Sequence, residues 1–379
     1  MFLIGTFLLG SVLFLYTALS LIRPLSLRWW WQLLLCGITG AVAFKYALLY
    51  RIFGGHFFRP AVPGWVELGC NWLFISLLLL VFLLLVLDAG RIPVWLCLRK
   101  RLPQWRRLNN RLNLGLVLLA LGITAHGVYN AFALPEVKEI TIPLEQLEKP
   151  VRLAMLTDLH ADRYKDADFF REVVARTNAL QPDAVVITGD FEDGPLRELA
   201  PALAPLRQLS SRWGTFAVHG NHDYFSGHTA WQSYLSSLGI RFLNNEHVLP
   251  GAGLLVLAGV TDPAAAHNGQ PPPHLGRALH GSPGGKPVVL LAHQPRIAAD
   301  AARHGVALQL SGHTHGGQCP LLYPLLAAFN DGLVKGLYRR EKLQVYVSSG
   351  TSLWSGFPLR LGIPPEIALI HLVPAHENY

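Results

Sequence analysis

Two rhythms of hydrophobic and polar positions divide the chain near residue 134. Before it, apolar residues run on almost unbroken through residues 1–22, "WWWQLLLCGITGAVAFKYALLY" (29–50), "WVELGCNWLFISLLLLVFLLLVL" (65–87) and "LGLVLLALGITAHGVYNAFAL" (114–134). Each stretch is long enough for a helix to cross about 30 Å of hydrocarbon, so four transmembrane helices are expected in 1–134. After about residue 150 the runs shorten and alternate with amphipathic stretches. "VRLAMLTD" reads as a strand, and "ADFFREVVARTNAL" sets Phe170, Val173, Val174 and Thr177 at helical spacing before "QPD" turns the chain into "AVVITGD". "GTFAVHGNHD", "GLLVLAGVTD", "KPVVLLAHQPR" and "VALQLSGHTH" repeat the theme of an apolar strand that stops in a polar cluster. That is the alternation of an α/β domain over 150–379, with 135–149 as a linker and "NGQPPPHLGRALHGSPGGKP" (268–287) as a surface loop.

Composition supports a partly membrane-embedded chain: 51% of the 379 residues are hydrophobic and 15% charged, more apolar than a soluble enzyme of this size. The net charge of +8 is not spread evenly. Residues 1–134 hold 12 Lys+Arg against 2 Asp+Glu, and the remainder holds 20 against 22, so the excess is juxtamembrane and no nucleic-acid face is expected. Seven basic residues lie in "RIPVWLCLRKRLPQWRRLNNR" (91–111), whereas only Arg51 and Arg59 lie between the second and third apolar stretches. The basic loop is expected in the cytoplasm and everything after the fourth stretch on the other side, giving a multi-pass inner-membrane protein with an extracytoplasmic C-terminal domain. The first stretch lacks the basic start and small-residue cleavage site of a signal peptide and reads as a span. Lys45 is expected to snorkel, and Trp29–Trp31 to lie in an interfacial belt. Of Cys36, Cys70, Cys97 and Cys319 only the last is in the second part, so no disulfide framework exists there.

The polar clusters carry the chemistry. In order they offer Asp158 and His160 in "TDLH", Asp190 in "TGDFED", Asn221 and His222 in "HGNHDY", His293 in "LAHQP", and His313 with His315 in "GHTHGGQ". His313 and His315, two apart in an extended segment, share a side, and the glycines around them let the backbone turn closely about one centre. Singly, Asp158 reads equally as a helix cap, Asn221 as a turn residue and His293 as a buried histidine. Together, at the ends of successive strands where open α/β sheets gather their ligands, they form a set of carboxylate, imidazole and amide groups. Such a thiolate-free set suits borderline divalent ions and argues against a zinc knuckle or an iron–sulfur cluster.

This succession, DxH, GDxxD, GNHD, a later single His and GHxH, resembles the calcineurin-like metallophosphoesterases over residues 150–373. The tail "GLYRREKLQVYVSSGTSLWSGFPLRLGIPPEI" is similar to that family's membrane-associated bacterial phosphodiesterase branch, except that Ser349 stands where the branch carries Arg. The resemblance implies an αββα sandwich, here preceded by the four-helix membrane region, and two divalent ions, with Mn, Fe or Zn favoured. It assigns Asp158, His160, Asp190 and His315 to the first ion, and Asp190, Asn221, His293 and His313 to the second, with Asp190 shared. His222 is then left to protonate the leaving group or to hold a phosphoryl oxygen, with Asp193 orienting it. Asp223 is expected in a turn or supporting role, and His219 as a spectator.

The expected activity is membrane-anchored, metal-dependent hydrolysis of a phosphodiester or phosphomonoester, with a lipid or lipid-linked substrate favoured. The alternatives are an inactive domain regulating the membrane region, a nucleotide phosphohydrolase, and a transporter. The spans hold little charge beyond Lys45 and Glu67 to mark an ion path, and the acidic catalytic part offers no basic track for a polymer. "PLLYPLLAAF" (320–329) reads either as packing on the domain's own core or as a contact with a bilayer or acyl chain.

Overall fold

The computed structural model describes residues 2–56, 59–98 and 102–375. They divide into two compact units, residues 1–129 with 356–359, and residues 130–355 with 360–379.

The first unit is helical: α1 (Phe2–Thr17), α2 (Trp29–Ala43), α3 (Lys45–Phe53), α4 (Gly64–Leu98) and α5 (Leu102–Ala131). Three apolar helical segments, Ile4–Ile22, Gly64–Arg91 and Leu108–Ala131, are long enough to cross a membrane. The second expected span is broken. α2 and α3 meet at an 80° bend, so 29–53 forms either one kinked span, giving the expected four, or a re-entrant pair, leaving three. Phe44 leaves helical geometry at the break, and Lys45 does not snorkel. It is buried, its ammonium donating to Asn71 Oδ1 and lying 3.8 Å from the Tyr46 ring centre. An ammonium buried among apolar helices needs such partners, and hydropathy alone does not reveal them. Polar contacts also tie the long helices together. Ser76 Oγ lies 2.6 Å from Thr124 Oγ1, Tyr16 donates to Asp88 at 2.7 Å, and Arg91 bridges Asp88 and Asn113 at 2.6 and 2.7 Å. Most of the basic segment 91–111 lies in the adjoining ends of α4 and α5 rather than in a loop; 99–101 fall outside the described residues.

The second unit is a sandwich of two six-stranded sheets. Its strands are β1 (Glu136–Leu144), β2 (Val151–Leu156), β3 (Ala184–Ile187), β4 (Thr215–Ala217), β5 (Ile240–Phe242), β6 (Glu246–Val248), β7 (Val256–Gly259), β8 (Val288–Leu291), β9 (Leu308–Ser311), β10 (Gly336–Arg340), β11 (Leu343–Val347) and β12 (Glu366–Pro374). One sheet runs β1-β12-β2-β3-β4-β5 and the other β10-β11-β9-β8-β7-β6. From β2 to β5 the pairing is parallel, as it is among β7, β8, β9 and β11. The central strands are buried on both faces, and this is why they read as unbroken apolar runs. Leu153 and Met155 of β2 face the second sheet in a core with Val186, Phe216, Leu257, Leu291 and Leu310. The intervening Ala154 and Leu156 face helices α6 (Ala167–Ala179), α7 (Leu196–Leu203) and α8 (His228–Ser237) through Phe170, Leu203, Trp231 and Leu235. On the far side, α9 (Ala298–Arg303) covers Ala258, Leu290 and Val345. The layers are therefore αββα.

The expected linker 135–149 needs correction, because most of it is β1, paired in parallel with β12 from Glu136 to Leu144. As an edge strand it buries only Ile142 and Leu144, so its exposed charges mask the alternation.

Candidate dinuclear metal centre

Five loops leave the carboxyl ends of β2, β3, β4, β8 and β9 and meet at one end of the sandwich, bringing together every side chain expected as a ligand. His160 Nε2 lies 3.9 Å from Asp158 Oδ1 and 3.6 Å from Asp190 Oδ2, and His315 Nε2 lies 3.8 Å from Asp158 Oδ1. On the other side of Asp190, His293 Nε2 lies 3.2 Å from its Oδ2 and 3.1 Å from Asn221 Oδ1, with His313 Nδ1 3.3 Å from that same nitrogen. The atoms that Asp158, His160 and His315 can offer lie within 4.8 Å of one another, as do those of Asp190, His293 and His313. One carboxylate oxygen, Asp190 Oδ2, thus faces both groups.

These residues fit a pair of cations better than they fit one another. His160 Nε2 is fully buried with no hydrogen-bond partner, although two carboxylates face it at distances too long for a hydrogen bond. A buried polar atom left unpaired costs free energy that a bound ion would recover. His293 donates Nδ1–H to Thr188 O at 2.8 Å, which fixes the tautomer and turns Nε2 inward. Burial holds His313 neutral, pushing its imidazole down to about 3, and burial with the neighbouring His160 sends His315 the same way, so both keep a lone pair to offer a metal.

The backbone is strained where the side chains converge. Asp158, His160, Asp190, His313 and His315 all have positive φ, between 43° and 70°. Left-handed geometry costs about 1–2 kcal/mol for each such residue, and surrounding hydrogen bonds must enforce it. Asp158 N–H donates to Gly189 O, His160 N–H to Asp190 O and His313 N–H to Asp158 Oδ1, at 2.9, 2.9 and 3.0 Å. Two glycines make the convergence sterically feasible: a Cβ at Gly220 would strike the Asp190 carboxylate, and one at Gly312 would strike Thr157 and Asp158.

Asp193 joins the two functions. Its Oδ1 is 2.6 Å from His222 Nδ1, as the resemblance implies, and its Oδ2 is 3.0 Å from His160 Nδ1, a contact the sequence did not suggest. Burial alone would raise this carboxyl, yet the two imidazoles outweigh burial and hold it well below the usual carboxylate range. His222 mirrors this balance: burial disfavours its charge, but Asp190 and Asp193 lift it to about 9. Its ring contacts those of Phe225 and Trp354, with ring centres 5.5 and 5.7 Å away. Asp223 is a support, its carboxylate accepting from the backbone of Asp190, Phe191 and Gly220 at 2.7–3.0 Å. His219 stacks on Phe242, 4.2 Å between ring centres, apart from both ligand groups.

Two buried cations escaped the sequence reading. Lys165 Nζ donates to His160 O, Asp162 Oδ2 and Leu353 O, at 2.7–2.9 Å. Arg360 Nη2 donates to Ser349 O at 2.9 Å and to Ser352 O at 2.5 Å. Between them they hold the 349–353 backbone, whose Ser352 N–H donates to Asp158 O at 3.1 Å. Ser349 carries no charge to the site; its hydroxyl donates to Pro364 O. Lys165 sits in "DRYKD", which reads as solvated surface, and no motif spacing marks Arg360.

The family model of the calcineurin-like phosphoesterases matches residues 151–317. An uncharacterized metallophosphoesterase of Helicobacter pylori (strain J99) is 38% identical over 279 residues, 73% of this chain and 74% of that one. A transmembrane protein with metallophosphoesterase domain from Danio rerio is 37% identical over 279 residues, 68% of this chain and 63% of that one. An uncharacterized metallophosphoesterase of Aquifex aeolicus is 32% identical over 241 residues, 62% of this chain and 90% of that one. With the fold and the two-sided cluster about Asp190, these matches place the chain in the calcineurin-like metallophosphoesterase family, as a member that carries apolar helices ahead of its phosphoesterase domain.

Proposed function

We propose that the protein is a membrane-anchored phosphoester hydrolase with two divalent ions, Mn, Fe or Zn, held by Asp158, His160, Asp190, Asn221, His293, His313 and His315. The observation that carries this is the position of Asp190 Oδ2, 3.6 Å from His160 Nε2 and 3.2 Å from His293 Nε2, where one carboxylate serves both ligand groups. Bound there, the ions supply Lewis acidity toward the phosphoryl oxygens and lower the pKa of a water nucleophile. The protein's own groups do the rest. Asp193 fixes His222 through Nδ1, leaving Nε2 to donate a proton to the oxygen of the departing alcohol. Asp223 pins the backbone that carries Asp190, and Lys165 and Arg360 hold the 349–353 segment beside Asp158.

A diester is the favoured substrate and a lipid or lipid-linked compound the favoured class, because a catalytic domain on the chain of an apolar helical unit works beside a bilayer. Its side of the membrane follows from the seven basic residues of 91–111, which belong in the cytoplasm. Only one candidate span, Leu108–Ala131, separates most of them from the domain, so the domain is extracytoplasmic in the inner membrane whether 29–53 spans or re-enters. The test is hydrolysis of bis(p-nitrophenyl) phosphate and p-nitrophenyl phosphate by the purified chain, with each metal supplied in turn. The expected result is metal-dependent turnover with the diester preferred. Absence of turnover with every metal would reject the proposal in favour of an inactive domain.

A further inference from the structure

We propose that the helix following the metal-site turn, α10 (Tyr323–Phe329), is a foot that inserts into the surface of an anionic bilayer. The inference deepens the lipid-substrate reading and rests on it only for its consequence on turnover. α10 begins eight residues after His315, and the turn that joins them is short and fixed: Cys319 N–H donates to Gly317 O, and Leu322 N–H to Cys319 O. The other helices of the domain bury apolar side chains, as α6 does with Phe170, Val173 and Val174, but α10 buries none. Leu321, Tyr323, Leu325 and Phe329 are 47%, 39%, 55% and 68% exposed, and residues 320–329 contain no charge. Leu325 and Phe329, four apart, share one face of the helix. Exposed large apolar side chains grouped on one short helix mark a candidate interaction site, and the surrounding composition decides the partner.

Charge favours a bilayer over a protein groove. The phosphoesterase part is slightly acidic overall, yet residues 330–342, which follow α10 and include the edge strand β10, carry Lys335, Arg339, Arg340 and Lys342 against Asp331 and Glu341. Leu337, in the middle of β10, is 44% exposed. Tyr323 Oη at the start of α10 lies 3.4 Å from Tyr338 Oη of β10, and large apolar side chains beside a basic strand are what an interfacial segment presents to anionic lipid, the apolar groups entering the headgroup boundary and the cations meeting phosphates. A foot this close in sequence to His315 would bring the metal site to the headgroup layer, where a lipid phosphoester could reach it without leaving the membrane.

The test uses the full chain in nanodiscs of phosphatidylethanolamine containing phosphatidylglycerol. Phe329→p-benzoylphenylalanine places a photocrosslinker on the foot, and Leu249→p-benzoylphenylalanine places one beside β6, at the opposite edge of the same sheet. The expected result is a phospholipid adduct at 329 and none at 249, with a lower yield in phosphatidylcholine alone. No lipid adduct at 329, equal adducts at both positions, or crosslinking of 329 to a second copy or to residues 1–134 would each overturn the proposal. In parallel, Leu325→Asp with Phe329→Asp should leave turnover of a water-soluble ester unchanged. Turnover of a vesicle-embedded phospholipid should fall by about tenfold or more, the scale of losing one buried Leu or Phe. A lipid adduct at 329 without any phospholipid hydrolysis would support the foot while rejecting the lipid-substrate reading.

Discussion

Replacing Asp193 with Asn separates the roles this carboxylate plays. Asp193 accepts from two imidazoles at once, through Oδ1 to His222 Nδ1 at 2.6 Å and through Oδ2 to His160 Nδ1 at 3.0 Å. An amide has one oxygen. In Asp193→Asn either His222 or His160 must face an NH2 group, and relieving that donor–donor clash requires the imidazole to give up its Nδ1–H. For His160 the proton then sits on Nε2, where it points at the proposed metal position and blocks the lone pair. His222 already needs its Nε2 proton as the acid, so giving up Nδ1–H leaves it a neutral imidazole without the carboxylate that favours its charged form. The expected loss on the His222 side is about 10²–10⁴-fold in kcat, the range of a general-acid contribution, and on the His160 side about 10–100-fold in metal affinity. His222→Ala should lose rate at full metal content, so metal content tells the two effects apart. The assay is turnover of a reporter diester at saturating metal, together with metal retained after dialysis of the wild type, both single variants and the double variant. In the proposed mechanism Asp193 and His222 act as a unit, so the double variant should be scarcely slower than Asp193→Asn alone. Turnover of Asp193→Asn within about threefold of wild type at unchanged metal retention would refute the reasoning, since it falls far below both ranges.

Asp190→Asn and His313→Ala should each abolish hydrolysis and lower metal content while the fold persists, as mass spectrometry of bound metal and circular dichroism would show. His222→Ala should slow a substrate with a poor leaving group more than one with a good leaving group, and equal slowing would indicate a purely electrostatic role. Gly220→Ala drives a methyl group into the Asp190 carboxylate and should cost metal binding, whereas the same change at solvent-open Gly284 should not. Lys165→Met leaves the buried Asp162 carboxylate without its cation and should lower stability by about 3–5 kcal/mol in denaturant titrations; adding Asp162→Asn should restore much of it. Protease applied to intact spheroplasts should digest the C-terminal domain, and protection of 150–379 until lysis would overturn the topology.

What the sequence disclosed follows from where information is local. The candidate ligand clusters were legible because five in succession interrupt apolar strands at their carboxyl ends, although Asp158, Asn221 and His293 taken singly also read as a cap, a turn residue and a buried histidine. The sandwich was legible from unbroken apolar runs between amphipathic helices, with the family resemblance supplying its layers. What escaped depends on partners distant in sequence. β1 looks like a linker because Glu136, Lys138 and Glu139 reflect its place at the sheet edge, and its pairing with β12 lies more than two hundred residues away. The burial of Lys45 depends on a partner in another helix, Asn71, which hydropathy cannot foretell. Lys165 and Arg360 are charges whose burial is decided by backbone carbonyls from other segments. The second contact of Asp193 needed the distance to His160, because the family resemblance pairs it only with His222.

The central claim is that one carboxylate, Asp190, organises two metal ions for phosphoester hydrolysis. Its most direct test is to strip the full chain with a chelator and measure bound metal and diester turnover together as Mn, Fe or Zn is added back. The account predicts no turnover in the stripped protein, recovery complete at about two ions per chain, and reduced binding with no recovery in Asp190→Asn. Turnover that survives removal of the metal, or that returns fully with Asn at position 190, would contradict it.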